Sequence, residues 1–217
     1  MLVLAWFQPY NGTMRCFAIL MAAGLSSRFA SGKNENKLMA MFRGKPLIGH
    51  TLDLVCAMNC SEGIYVIYHD EAVARFVREA ITTAPVRLIY NPAPEKGQGE
   101  SAILGVKAAV CTGLEPAYYL FMPCDQPMLN ADTVRLLLNA ARHGCIVEPC
   151  GKNSHESNRS PNVFCASLRD ELLALKPGEH PRLLKSRHPV ITVEVPDPMV
   201  LADIDTLDDL AFLEDHS

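Results

Sequence analysis

The sequence predicts an α/β fold with a mainly parallel sheet covered by helices on both faces. Two observations carry this reading. Short, near-continuous apolar runs alternate along the chain with amphipathic helical stretches, the pattern of strands buried on both sides. The Pro-, Gly- and Ser-rich segments fall at the carboxyl ends of the predicted strands, at 22–37, 91–99 and 123–128. Open α/β sheets bind ligands at that edge, so the three segments read as one site.

In chain order, strands are predicted over 17–21, 64–68, 87–90, 117–122, 145–148, 162–165 and 191–195. Helices are predicted over 48–58, 71–81, 100–111, 131–142, 168–174 and 207–213. Asn130 is placed to cap the fourth helix and Thr206 the last. No repeat, low-complexity tract or linker breaks the alternation, so residues 14–217 read as one domain. Residues 1–13 read as an upstream extension ahead of a second start at Met14, with an extra edge strand as the alternative. Their apolar opening has no basic flank and no small-residue cleavage site, which argues against a signal peptide.

Composition narrows the classes. A net charge of −4 leaves no basic stripe to neutralise a phosphate backbone, so nucleic acid is not an expected partner. No apolar run is long enough to span a bilayer, so no membrane partner is expected. The eight cysteines form no CxxC and lie mostly in apolar segments, where thiols act as small hydrophobes suited to a reducing cytoplasm. Cys56 and Cys60 could share a helix face, but no histidine stands at ligand spacing, so zinc is not expected.

Four segments carry chemistry. In "LMAAGLSSRF" an apolar strand ends in Ala22, Ala23 and Gly24, then Ser26 and Arg28. A bare backbone lets a phosphate or a base approach closely, and Arg28 adds fixed positive charge; an ordinary turn is the competing reading. The segment is neither a Walker A loop nor a GxGxxG dinucleotide turn, which argues against a dinucleotide oxidoreductase. Lys37, in "NKLMAMFRGKPL", can neutralise a phosphate, although Lys33, Lys37 and Lys45 would each also serve as solvated loop lysines. In "FMPCDQPML", Pro123 and Pro127 stop the ladder and present Asp125 at the sheet edge, where a carboxylate suits Mg²⁺. In "DIDTLDDL", Asp208 and Asp209 suit the first turn of a helix, and Asp203 or Asp205 could complete a metal site with Asp125.

Together these segments resemble the MobA-like nucleotidyltransferases, most closely the molybdenum cofactor cytidylyltransferase branch. The likeness runs in order from Arg15 through "LMAAGLSSRF", "NKLM" with "GKPLIGHTL", "NPAPEKGQGESAILGV", "FMPCDQPML", "SPNVFCASLRDELLAL" with "GEHPRLL", and "DIDTLDDL". The resemblance implies a three-layer α/β/α sandwich, a Rossmann-like nucleotidyltransferase fold. It also implies Mg²⁺-dependent transfer of a nucleotidyl group from CTP, or from GTP, to a molybdopterin-type acceptor. It places Ala22, Ala23, Gly24, Ser26 and Arg28 along the nucleotide, with Lys37 as the phosphate lysine. Gly97, Gly99 and Ser101 would line the base and ribose, with Asp125 and Asp205 as metal ligands.

In this family Ala-Ala-Gly in the first loop accompanies CTP and Ala-Gly-Gly accompanies GTP. Three departures stand out: a long loop between Arg28 and Lys37, Ala30 in place of a glycine, and Gly178-Glu179-His180-Pro181-Arg182 in place of a Gly-Asp motif. Two rivals remain at this stage. One is a sugar- or alditol-phosphate nucleotidyltransferase. The other is a non-catalytic accessory protein that docks on a molybdenum hydroxylase apoenzyme.

Overall fold

The computed structural model describes residues 15–26, 29, 36–58, 63–81, 85–151 and 159–216. In chain order the elements are β1 (Cys16–Ala22), β2 (Met41–Phe42), β3 (Lys45–Pro46), α1 (Leu47–Ala57), β4 (Gly63–Tyr68), α2 (Glu71–Ala80), β5 (Val86–Tyr90) and α3 (Gln98–Val110). They continue with β6 (Tyr118–Pro123), α4 (Ala131–Ala140), β7 (Ile146–Cys150), β8 (Asn162–Cys165), α5 (Arg169–Leu173), β9 (Val190–Glu194) and α6 (Leu207–His216). The extension at 1–13 lies outside the described residues.

Seven strands form one sheet in the order β5-β4-β1-β6-β8-β7-β9. β1 pairs in parallel with β4 and β6, β4 with β5, and β7 with β9; only β8 runs antiparallel to its neighbours. The sheet is thus mainly parallel, as its apolar runs predict. β8 reads like the others in sequence because its side chains are equally buried; direction leaves no mark on an apolar run.

Alternation along β1 feeds two cores. Ala18, Leu20 and Ala22 pack with α1, α2 and α4 through Leu52, Val73 and Leu137. Phe17 and Ile19 pack on the other face with α3 and α5 through Val106 and Leu172. The larger of these side chains, Leu20, Phe17 and Ile19, each contribute about 1.5–3 kcal/mol on burial, which makes β1 the anchor for the loop that follows it. α3 lies close to β1 at Gly105, where a Cβ would stand 2.5 Å from Ile19 Cγ2.

The caps form as the sequence indicates. Asn130 accepts the Thr133 N–H at 2.9 Å. Thr206 Oγ1 accepts the Asp209 N–H at 3.1 Å while Asp209 Oδ2 accepts the Thr206 N–H at 2.7 Å, a reciprocal capping box. Elements too short to show a period were not foreseen: the hairpin of β2 and β3 and the 3₁₀ turns Pro181–Ser186 and Pro198–Leu201.

Candidate active site

Met21 of β1 stands in register with Pro123 of β6, so the two strands end side by side. The loops that leave them line one cavity of about 530 Å³ through Ala23, Gly24 and Asp125, and Gly97, Ser101 and Asp205 join them on its lining. All three punctuated segments therefore meet at one edge, as expected.

The first loop is bare where it faces the cavity. A Cβ built on Gly24 would meet nothing within 4 Å, and Ala23 lines the cavity while only 6% exposed. Ala22 is fully buried in the core and is not on the wall. Ser26 lines the cavity with a positive φ of 52°, and its hydroxyl is engaged within the protein. It accepts the Lys37 backbone N–H at 3.1 Å and donates to Asn36 Oδ1 at 3.4 Å. Arg28 and Lys33 lie outside the described residues.

Lys37 opens the 3₁₀ turn Lys37–Met39, which Asn36 caps by accepting the Leu38 N–H at 3.0 Å. Asn36 Nδ2 in turn donates to Asp70 Oδ2 at 3.3 Å, and Asp70 caps α2. The lysine thus rises from a braced stem. Its Nζ stands 2.8 Å from Asp125 Oδ2 and 2.7 Å from Asp205 Oδ1. Burial disfavours the ammonium, but Asp125 and Asp205 outweigh it and hold its pKa above the ordinary lysine value. Lys45, by contrast, pairs with Asp53 at the surface.

β6 ends at Pro123, and the Asp125 carbonyl accepts the Ile204 N–H at 2.9 Å. That bond ties the "DID" segment to the strand end and brings Asp205 across from Asp125. Asp203 turns to Gln126 instead, accepting from its Nε2 at 2.8 Å. Burial, reinforced by the Asp125 charge, pushes the Asp203 carboxyl up to about 6. Cys124 is buried and its thiol is pushed up by that burial, so it stays protonated as a core hydrophobe.

Ser101, also on the lining, is 5% exposed and accepts from Asn91 Nδ2 at 3.0 Å. Gly97 adopts φ 83° with open space where a Cβ would stand. Gly99 has another duty: a Cβ there would fall 1.9 Å from the Glu179 carbonyl oxygen, so it is the docking point for the 178–182 segment and does not line the cavity.

A second cavity, about 260 Å³, adjoins the first and shares Met21, Gln98, Pro123, Asp125 and Ser160 with it. Its own lining includes Phe121 and Phe164, which pack edge to face, and the side chains of His180, Arg182 and Lys185. Lys185 pairs at 2.5 Å with Glu148, a carboxylate only 3% exposed in β7. Among the described residues no carboxylate pairs with the Arg182 guanidinium.

Residues 18–190 match the family model of the MobA-like NTP transferase domain. The chain belongs to that family. A molybdenum cofactor guanylyltransferase of Shewanella putrefaciens is 25% identical over 199 residues, 88% of this chain and 92% of that protein. A 2-C-methyl-D-erythritol 4-phosphate cytidylyltransferase of Aromatoleum aromaticum is 24% identical, over 91% of this chain and 95% of that protein. The bifunctional GlmU protein of Solibacter usitatus is 29% identical over 126 residues, 58% of this chain, and the chain spans only 25% of that protein's length. Among solved structures, a nucleotidyl transferase from Methanothermobacter superposes with a TM-score of 0.76 at 23% identity, covering 94% of this chain and 98% of that one. The Rossmann-like nucleotidyltransferase fold expected from the motifs is therefore the fold of this chain.

Within this MobA-like domain, sequence reading missed the second cavity. Two signals pointed to it: a glutamate inside the apolar run "CIVEPC", and the departure at Gly178–Arg182. Gln126 was also missed, although it stands beside Asp125 in the same motif and is 2% exposed under Asp203.

Proposed function

We propose that the chain is a nucleotidyltransferase that moves CMP from CTP to the terminal phosphate of a molybdopterin-type acceptor carrying molybdenum. The observation that carries this reading is the Lys37 ammonium held between Asp125 and Asp205 in a cavity that the small residues Ala23 and Gly24 also line. A braced cation beside paired carboxylates suits a polyphosphate and its counter-ion. The acceptor phosphate oxygen forms a bond to the α-phosphorus, the bond from that phosphorus to the bridging oxygen breaks, and pyrophosphate leaves.

The residues present fit a divalent ion. Two oxygen donors already converge on one cation, and they are hard ligands. Among the described residues no three His, Cys, Asp or Glu side chains are grouped to hold a metal alone. The Asp125 and Asp205 pair suits Mg²⁺, which takes one or two carboxylates and completes its shell with phosphate oxygens and water. Asp125 and Asp205 would hold it; when bound, it neutralises charge on the phosphates.

The chain's own residues do the rest. Lys37 supplies positive charge on a stem fixed by Asn36 and Ser26, and Arg28 would add a second cation. Ala23 and Gly24 let the nucleotide lie against backbone. The second cavity, with the Phe121–Phe164 wall and the Arg182 and Lys185 cations, offers an acceptor both an apolar ring surface and phosphate partners. Alignment of two polyanions is the main task, and little covalent chemistry falls to the protein.

A second reading keeps the mechanism and replaces CTP with GTP; the guanylyltransferase relative favours it, and Ala23 favours CTP. Incubation with each nucleoside triphosphate, Mg²⁺ and acceptor, with assay of pyrophosphate, tests the proposal. Release that requires acceptor and is fastest with CTP supports it. No release with any nucleotide overturns it.

A further inference from the structure

A side-chain contact between His180, on the smaller cavity, and Gln98, on the lining of both, fixes which way the Gln98 amide is turned. His180 Nδ1 accepts the backbone N–H of Arg182 at 3.0 Å, so that nitrogen carries no proton. The proton of the uncharged ring is then on Nε2, which stands 2.6 Å from Gln98 Oε1 and donates to it. The Gln98 carbonyl oxygen is therefore committed to His180. Its amide nitrogen, with two N–H donors and no partner among the described residues, is left at the wall that Gln98 shares with the larger cavity.

The segment that carries His180 is itself fastened to the start of α3. Gly178 N–H donates to the Lys96 carbonyl at 3.0 Å, and the Glu179 carbonyl rests on Gly99. These backbone contacts set the distance across which His180 reaches Gln98, so the ring can fix an orientation that a solvent-facing glutamine would not keep alone.

We propose that His180 is a positioning residue that locks the Gln98 amide, so that Gln98 presents only hydrogen-bond donors to the nucleotide. This rests on the nucleotidyltransferase reading and deepens it. Gly97, Gln98 and Ser101, all uncharged, line the larger cavity, and the two donors Gln98 keeps suit acceptor atoms of the base or ribose, such as a pyrimidine carbonyl and ring nitrogen.

The test separates positioning from capping. His180→Asn keeps an oxygen able to accept the Arg182 N–H, and it is too short to reach Gln98. Gln98→Glu keeps the acceptor for His180 and removes both donors. CTP affinity is measured by calorimetry, without turnover, for the native chain, His180→Asn, Gln98→Ala, Gln98→Glu and the double variant His180→Asn/Gln98→Ala, with thermal melting as the fold control. His180→Asn should weaken CTP binding about three- to tenfold, the range of one lost hydrogen bond. It should have no further effect in the Gln98→Ala background, and Gln98→Glu should bind CTP at least as weakly as His180→Asn. Unchanged affinity in His180→Asn or native affinity in Gln98→Glu overturns the lock, as does an equal loss in the Gln98→Ala background. A native chain that binds no nucleoside triphosphate overturns the nucleotidyl-transfer reading and this one with it; binding that persists without coupling overturns the lock alone.

Discussion

The Lys37 ammonium stands 2.8 Å from the Asp125 carboxylate, joining a loop lysine to a strand-end aspartate 88 positions later in the chain. Two segments that are weak signals apart become one charged centre when β1 and β6 end in register.

Asp125→Asn keeps the side-chain volume and removes the charge. If this carboxylate holds the metal, turnover falls by about 10²-fold or more while the melting temperature changes little. Rates measured at saturating nucleotide check this, and activity within a few-fold of the native chain would remove Asp125 from the site.

Lys37→Ala removes a cation worth roughly 4 kcal/mol to an anion 4 Å away at an effective dielectric near 20, before desolvation is subtracted. Turnover should drop by about 10²-fold, and Lys33→Ala should cost only a few-fold. The variant also frees Asp125 and Asp205 of their shared partner, so Mn²⁺ titrated as a spectroscopic probe should bind no more weakly than to the native chain. Reversed effects of the two lysine variants would reassign the phosphate lysine.

Ala23 tests base choice. The residue lines the cavity from the first loop, and accommodating a larger ring against its methyl would cost roughly 1–3 kcal/mol of overpacking. CTP should be preferred over GTP by about 10- to 100-fold in kcat/KM, and Ala23→Gly should relax that preference without inverting it. Competition between the two nucleotides at equal concentration decides, and equal use by the native chain would defeat the Ala-Ala-Gly reading.

The pH dependence of stability follows from His180. Burial, aided by the nearby Arg182 and Lys185 charges, lowers its pKa to about 4. The folded state therefore resists a proton that the unfolded chain accepts below an ordinary value near 6.5. The stability at stake is fully present above pH 6.5 and is lost as the pH falls towards 4. Melting curves of the native chain should decline across that window, and those of His180→Asn should decline less. Parallel curves would show that His180 does not titrate in this way.

Much of this site was legible in the sequence because its parts are backbone devices. Ala-Ala-Gly ends a strand, two prolines frame Asp125, and Thr206 with Asp209 starts a helix; each acts within a few residues of itself. What lay beyond reach depended on contacts between distant segments. Gly99 reads as a nucleotide-wall glycine, yet its missing Cβ makes room for the Glu179 carbonyl. Ser26 reads as a nucleotide hydroxyl and is found bracing Lys37. Ala22 belongs to the bare loop in sequence and to the core in space. The different surroundings of Asp203 and Asp205 also needed the fold: Asp205 pairs with Lys37, while Asp203 accepts from Gln126.

Isotope placement distinguishes transfer of the nucleotidyl unit from other chemistry at the CTP phosphates. The chain is incubated with Mg²⁺, Mo-molybdopterin and CTP labelled either at the α- or at the γ-phosphate, and the pterin and pyrophosphate fractions are separated. Nucleotidyl transfer predicts α-label in the pterin product, γ-label in pyrophosphate, and loss of both with Asp125→Asn. γ-Label in the pterin fraction, or α-label that stays in CTP under every condition, would contradict it.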